Sequence, residues 1–131
     1  MKSCTCDVCK AMCERPCWPT PKEAEKLIEA GFGNRLMEDY WVGNDGRDVH
    51  ILCPALVGSE GHTAPFWPRG KCTFQDKNGL CELHNLGLKP IEGRLADCQN
   101  EDATKNLHEM VMVAWNNQGA VNLVHRWNET F

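Results

Sequence analysis

The chain carries nine cysteines, at positions 4, 6, 9, 13, 17, 53, 72, 81 and 98. Thiolates are ligands for zinc and iron, so this is the residue type with the clearest chemistry to offer. Cys6 and Cys9 have the two-residue spacing of a metal knuckle, and Cys4 lies just before them. Cys9, Cys13 and Cys17 are four apart and would stand on one face of a helix, one per turn. Together those three would span about 12 Å, too far for one zinc, although two of them could share an ion. A second group comprises Cys72, Cys81, His84 and Cys98. Cys81 and His84 could chelate one ion, or His84 could be a surface residue. Cys53 stands apart before Pro54 and fits either a buried apolar thiol or a ligand.

A disulfide scaffold and inert buried thiols are the competing accounts of so many cysteines. Disulfides need an oxidising compartment. The odd count leaves one thiol over, and no apolar stretch of signal-peptide length follows Met1-Lys2-Ser3-Cys4. The expectation is therefore a metal or cluster protein of the cytoplasm. Five thiols between residues 4 and 17 would be a liability unless something binds them.

The elements that must position these residues are short. Thr20-Pro21-Lys22-Glu23 predicts a capped helix start, with Ala24, Leu27 and Ile28 on its apolar face and Gly31 as its stop. Leu36, Met37 and Tyr40 suggest a second short helix over 35–41. Gly43, Asn44, Asp45 and Gly46 are turn material, and a strand is expected from Val49 to Leu52. Residues 58–70 read as a long loop. Lys71–Phe74 and Leu80–Leu83 predict a hairpin about Asp76-Lys77-Asn78-Gly79, because Asn-Gly is a strong turn dipeptide. Asn100 can cap a helix bearing Leu107, Met110, Val111, Ala114 and Trp115 as an apolar stripe. Gly119 breaks it, and Val121, Val124 and Trp127 continue as a further short helix. The expected fold is a small α+β domain of residues 1–131, cysteine-rich and metal-stabilised, with short helices, one β-hairpin and a C-terminal helix. Residues 1–98 form its chelating region and 99–131 a helical tail.

Composition removes several function classes. The net charge of -4, with no run of Lys and Arg, opposes nucleic-acid binding, because phosphate contacts need cations. No window approaches the roughly 18 apolar residues of a membrane span. The sequence has no GxSxG, P-loop or HExxH motif. The five histidines are scattered, with His108 and His125 read as surface or capping groups.

The pattern of an N-terminal cysteine cluster, the Pro21-Lys22-Glu23-Ala24-Glu25 helix start, Cys53-Pro54-Ala55, Lys71-Cys72-Thr73-Phe74, Gly79-Leu80-Cys81-Glu82-Leu83-His84 and Cys98 resembles a known family. It is similar, over residues 1–98, to the zinc- or iron-chelating CxxCxxCC-type domain found in flagellin lysine-N-methylase-like proteins. The resemblance implies metal or cluster ligands at Cys4, Cys6, Cys9, Cys13, Cys17, Cys72, Cys81 and Cys98. The chain has no adjacent Cys-Cys pair and is shorter than the methylase-like members, so methylase activity does not carry over.

Two functions follow as expectations. One is a zinc-stabilised structural or accessory binding module. The other is an iron–sulfur protein with redox or protein-modifying activity. The apolar stripe of the tail would either close the domain's own core or cover a protein partner or a second copy of the chain.

Overall fold

The computed structural model describes residues 17–43, 45–64, 70–78, 81–92 and 101–131, with backbone alone for 101–105. The expected capping box is present. The Thr20 hydroxyl accepts from the Glu23 N–H at 3.2 Å, and the Glu23 carboxylate accepts from the Thr20 N–H at 3.0 Å. Helix α1 runs from there, Pro21–Leu27, burying Ala24 and Leu27. A wide turn, Ile28–Phe32, then ends the helix at Gly31, whose φ of 93° is the left-handed value that glycine adopts freely.

The chain next enters an antiparallel hairpin, β1 (Leu36–Val42) and β2 (Asp48–Pro54), in register from Leu36 opposite Pro54 to Val42 opposite Asp48. This corrects the helix expected over 35–41. Spacings of one, three and four residues fit a helix, but Met37 pairs with Cys53 and Asp39 with Ile51, and such cross-strand pairs outweigh local preference. The outer edge of β1 is covered in its first half. Glu38 N–H donates to the His62 carbonyl at 3.0 Å, and Ala64 N–H donates to the Glu38 carbonyl at 2.8 Å.

The hairpin expected over 71–83 is also corrected. Cys72 bridges Leu56 instead, and a single bridge joins Gln75 to Cys81. The chain then turns at once into a short helix, α2 (Glu82–Asn85), held by a 2.8 Å bond from the Glu82 N–H to the Phe74 carbonyl. Among the described residues the only two-stranded sheet of this α+β fold is therefore β1–β2.

Two C-terminal helices, α3 (Glu101–Trp115) and α4 (Gln118–Thr130), pack on β2. Asn117 caps α4, its side-chain oxygen accepting from the Ala120 N–H at 2.9 Å. Val111, Met112, Trp115, Ala120, Leu123, Val124 and Trp127 are buried in the same cluster as Trp18, Leu27, Met37, Ile51 and Phe74. The stripe on α3 is rotated from the expected one, with Met112 inside and Met110 exposed. Each inward tryptophan also spends its polar group. Trp115 Nε1–H donates to the Pro19 carbonyl and Trp127 Nε1–H to the Gly33 carbonyl, both at 2.7 Å. Among the described residues no helix is long and apolar enough to cross a membrane.

Candidate metal centre

Of the ten expected ligands, Cys17, Cys53, Cys72, Cys81 and His84 belong to the described residues; Cys4, Cys6, Cys9, Cys13 and Cys98 lie outside them.

Cys17 is half-buried, and its neighbours fix where the chain passes. Trp18 is 1% exposed. Its backbone N–H donates to Glu92 Oε1 and its indole N–H to Asp39 Oδ2, both at 2.8 Å. The Trp18 ring stacks on the His108 imidazole with centroids 3.7 Å apart. One residue further on, Pro19 is held by Trp115. Cys17 is therefore tied through its neighbours to β1, to Glu92 and to α3.

Cys53 occupies the buried end of β2, opposite Met37. Cys72 reaches the same region from the following loop. Backbone bonds from Thr73 to Ala55 at 2.8 Å and from Val57 to Lys71 at 2.7 Å zip that loop onto the chain leaving β2. The Phe74 N–H points at Cys72 Sγ from 3.5 Å, which places a positive dipole at the sulfur.

The electrostatics of Cys53 link these groups. Burial pushes its thiol well up, and the charges of Asp39, Cys17, Cys72 and Glu92 push it further. Three cysteines distant in sequence thus lie within electrostatic reach, beside two carboxylates. Without a cation that surrounding opposes ionisation of Cys53, whereas a bound metal ion reverses such local pKa logic. The chemistry of this donor set fits a thiophilic cation. Among the described residues, however, no three His, Cys, Asp or Glu side chains are close enough to hold an ion by themselves.

Cys81 and His84 are half-buried at the start of α2. The bridge to Gln75 joins the segment bearing Cys81 to the one bearing Cys72. The structure therefore relates Cys17, Cys53 and Cys72 through their charges and Cys72 to Cys81 through the backbone.

A polar group beside the thiols escaped the sequence reading. His108 is no simple surface residue. Its Nδ1 lies 2.5 Å from Glu92 Oε2, and its ring lies under Trp18. Asp39 is 7% exposed. Burial raises its carboxyl above 3.8, opposed by the bonds from Trp18 and from the Tyr40 backbone and by the charge of His108. The only signal in the sequence was the acidic pair Glu38-Asp39 within an otherwise apolar and aromatic run, Leu36 to Val42. Compared with family models, with curated proteins and with solved structures, the chain matches none.

Proposed function

We propose that the chain is a metal-binding module in which cysteine thiolates hold zinc as a structural ion, and that it serves as an accessory or binding domain. What supports this reading is the chain's nine cysteines together with buried Cys53, whose thiol feels the charges of Cys17, Cys72, Asp39 and Glu92 from other segments. Zinc closed by four protein ligands is tetrahedral and inert, and its binding energy becomes folding energy. The ligands in this reading are drawn from Cys4, Cys6, Cys9, Cys13, Cys17, Cys72, Cys81 and Cys98, with Cys53 and His84 as further donors. Membership of the CxxCxxCC-type family belongs to the same proposal. So does a reducing compartment such as the cytoplasm, where thiols persist. The partner of such a module is a protein, or a second copy of the chain, seated on the C-terminal helices.

The test is elemental analysis of the full chain purified under anaerobic conditions. A colourless protein with about one or two zinc ions per chain is expected, since eight thiolates can fill two four-ligand sites. A brown preparation containing iron and sulfide replaces zinc with a cluster. Protein containing neither zinc nor iron overturns the reading.

A further inference from the structure

A cysteine can hold a metal well only if the turn bearing it is held as well. Cys72 and Cys81 lie on two turns joined by one bridge, between Gln75 and Cys81, and one further backbone bond, from Glu82 to Phe74. Arg35 crosses both. Its Nη2 donates to the Thr73 carbonyl at 2.7 Å and to Glu82 Oε2 at 3.0 Å. Thr73 is the residue after Cys72, and Glu82 is the residue after Cys81. One nitrogen therefore ties together the residues that follow both thiols.

The guanidinium is itself held in place. It lies 4.1 Å from the centroid of the Phe74 ring and 5.7 Å from that of Phe32, and those rings meet edge to face at 5.4 Å. Arg35 also ends the turn leading into β1, and its carbonyl accepts from the Ala55 N–H at 3.0 Å. Ala55 in turn accepts from Thr73. Backbone and side chain of the same residue thus frame the loop that carries Cys72. A lone ion pair exposed as this one is, 31% and 49% on its two sides, would contribute little to stability. The delocalised guanidinium over the Phe74 ring gives it an orientation that a lysine ammonium would not share.

We propose that Arg35 is a positioning residue for the metal centre, setting the spacing of the Cys72 and Cys81 turns through Thr73 and Glu82. The inference rests on the metal-binding reading and deepens it. Partners outside the ligand shell that orient ligands typically alter metal affinity by about 10–100-fold.

The experiment uses the full chain and compares the parent with Arg35→Gln, Glu82→Ala and the double variant. Zinc affinity is read by competition with a chromophoric chelator, and ligand geometry by the thiolate-to-cobalt absorption of the cobalt(II)-loaded chain. Arg35→Gln is expected to weaken zinc binding about 10–100-fold and to shift the cobalt spectrum. Glu82→Ala should weaken it less, and the double variant should bind no worse than Arg35→Gln alone, because the two residues share one tie. An Arg35→Gln chain that loads zinc like the parent, with the same cobalt spectrum, overturns the inference. So do losses that simply add. Should Arg35→Gln fail to fold, Glu82→Ala decides, because Glu82 is exposed: unchanged affinity there overturns the inference and weakened affinity upholds it. A parent that takes up neither ion overturns the metal-binding reading itself, and a parent that loads normally confines any failure to the role of Arg35.

Discussion

The indole N–H of Trp18 donates to the buried carboxylate of Asp39 at 2.8 Å, fixing the residue after Cys17 against the middle of β1. The second oxygen of Asp39 accepts from the Tyr40 N–H at 2.9 Å, so the carboxylate is bonded on both sides yet shielded from water.

That relationship has a pH signature. Burial raises the Asp39 carboxyl above its unfolded value of 3.8, so the protonated form is favoured in the folded chain. The stability it contributes is fully present below 3.8 and is lost as pH rises through the higher folded value. Asp39→Asn removes this titration. The stability gap between parent and Asp39→Asn should therefore be larger in the parent's favour at low pH than at neutral pH. Denaturant titrations of both chains from pH 3 to 7 measure it, and a gap that grows with pH would contradict the assignment.

Cys53 gives the corresponding effect in alkali. With metal removed by a chelator, its folded thiol titrates well above the unfolded value of 9.0, because burial and the charges around it oppose the thiolate. The stability from the neutral thiol is present below 9.0 and fades as pH rises towards the folded value. Cys53→Ala should flatten that alkaline loss. In the parent, Cys53 should also alkylate more slowly than half-buried Cys81 between pH 7 and 9, as read by peptide mass spectrometry.

What could be read in the sequence was mostly local. The capping box at Thr20 and Glu23, the stop at Gly31 and both C-terminal helices depend on residues a few positions apart. Strand β1 was misread because Leu36, Met37 and Tyr40 satisfy a helical stripe, while the pairing that makes them a strand comes from 48–54. The 71–83 segment differs from expectation for the same reason: Asn78-Gly79 promises a hairpin, but among the described residues only Gln75 and Cys81 pair across it, while Cys72 pairs back to Leu56. The cysteines suggest metal chemistry by type and number, yet the electrostatic link of Cys53 to Cys17 and Cys72 depends on segments far apart in the chain. The Trp18–Glu92–His108 group is non-local in the same way, with Glu92 74 positions beyond Trp18. Arg35 gave no signal at all, because its importance lies in Thr73 and Glu82.

The cap of α1 serves more than its own helix. Glu23 Oε1 accepts from the Thr20 N–H and also from the Ile91 N–H, both at 3.0 Å, so one carboxylate oxygen caps α1 and holds Ile91. Thr20→Ala should cost about 1 kcal/mol, the usual value for an N-cap. Glu23→Ala should cost more, about 1.5–3 kcal/mol, because two donors lose a charged acceptor. Equal costs in denaturant titration would mean that the bond to Ile91 contributes nothing.

The tail is the last case. α3 and α4 bury Val111, Met112, Trp115, Leu123, Val124 and Trp127 in the common core. Full burial of each large apolar side chain contributes roughly 1.5–3 kcal/mol, and whole domains are stable by only about 5–15 kcal/mol. Removing residues 101–131 should therefore abolish cooperative melting and expose apolar surface to a hydrophobic dye. A milder variant separates packing from global collapse. Trp115→Phe keeps most of the ring but leaves the Pro19 carbonyl without its 2.7 Å donor, at an expected cost of about 1–3 kcal/mol. Because Pro19 lies two residues from Cys17, Trp115→Phe should loosen that segment as well and raise the rate at which Cys17 alkylates in the metal-stripped chain. By contrast Met110→Glu and Val113→Glu, at 67% and 59% exposed positions of the same helix, should leave melting within about 0.5 kcal/mol of the parent. A truncated chain that still melts cooperatively, or a Met110→Glu variant as damaged as Trp115→Phe, would mean that α3 presents a different face to the core.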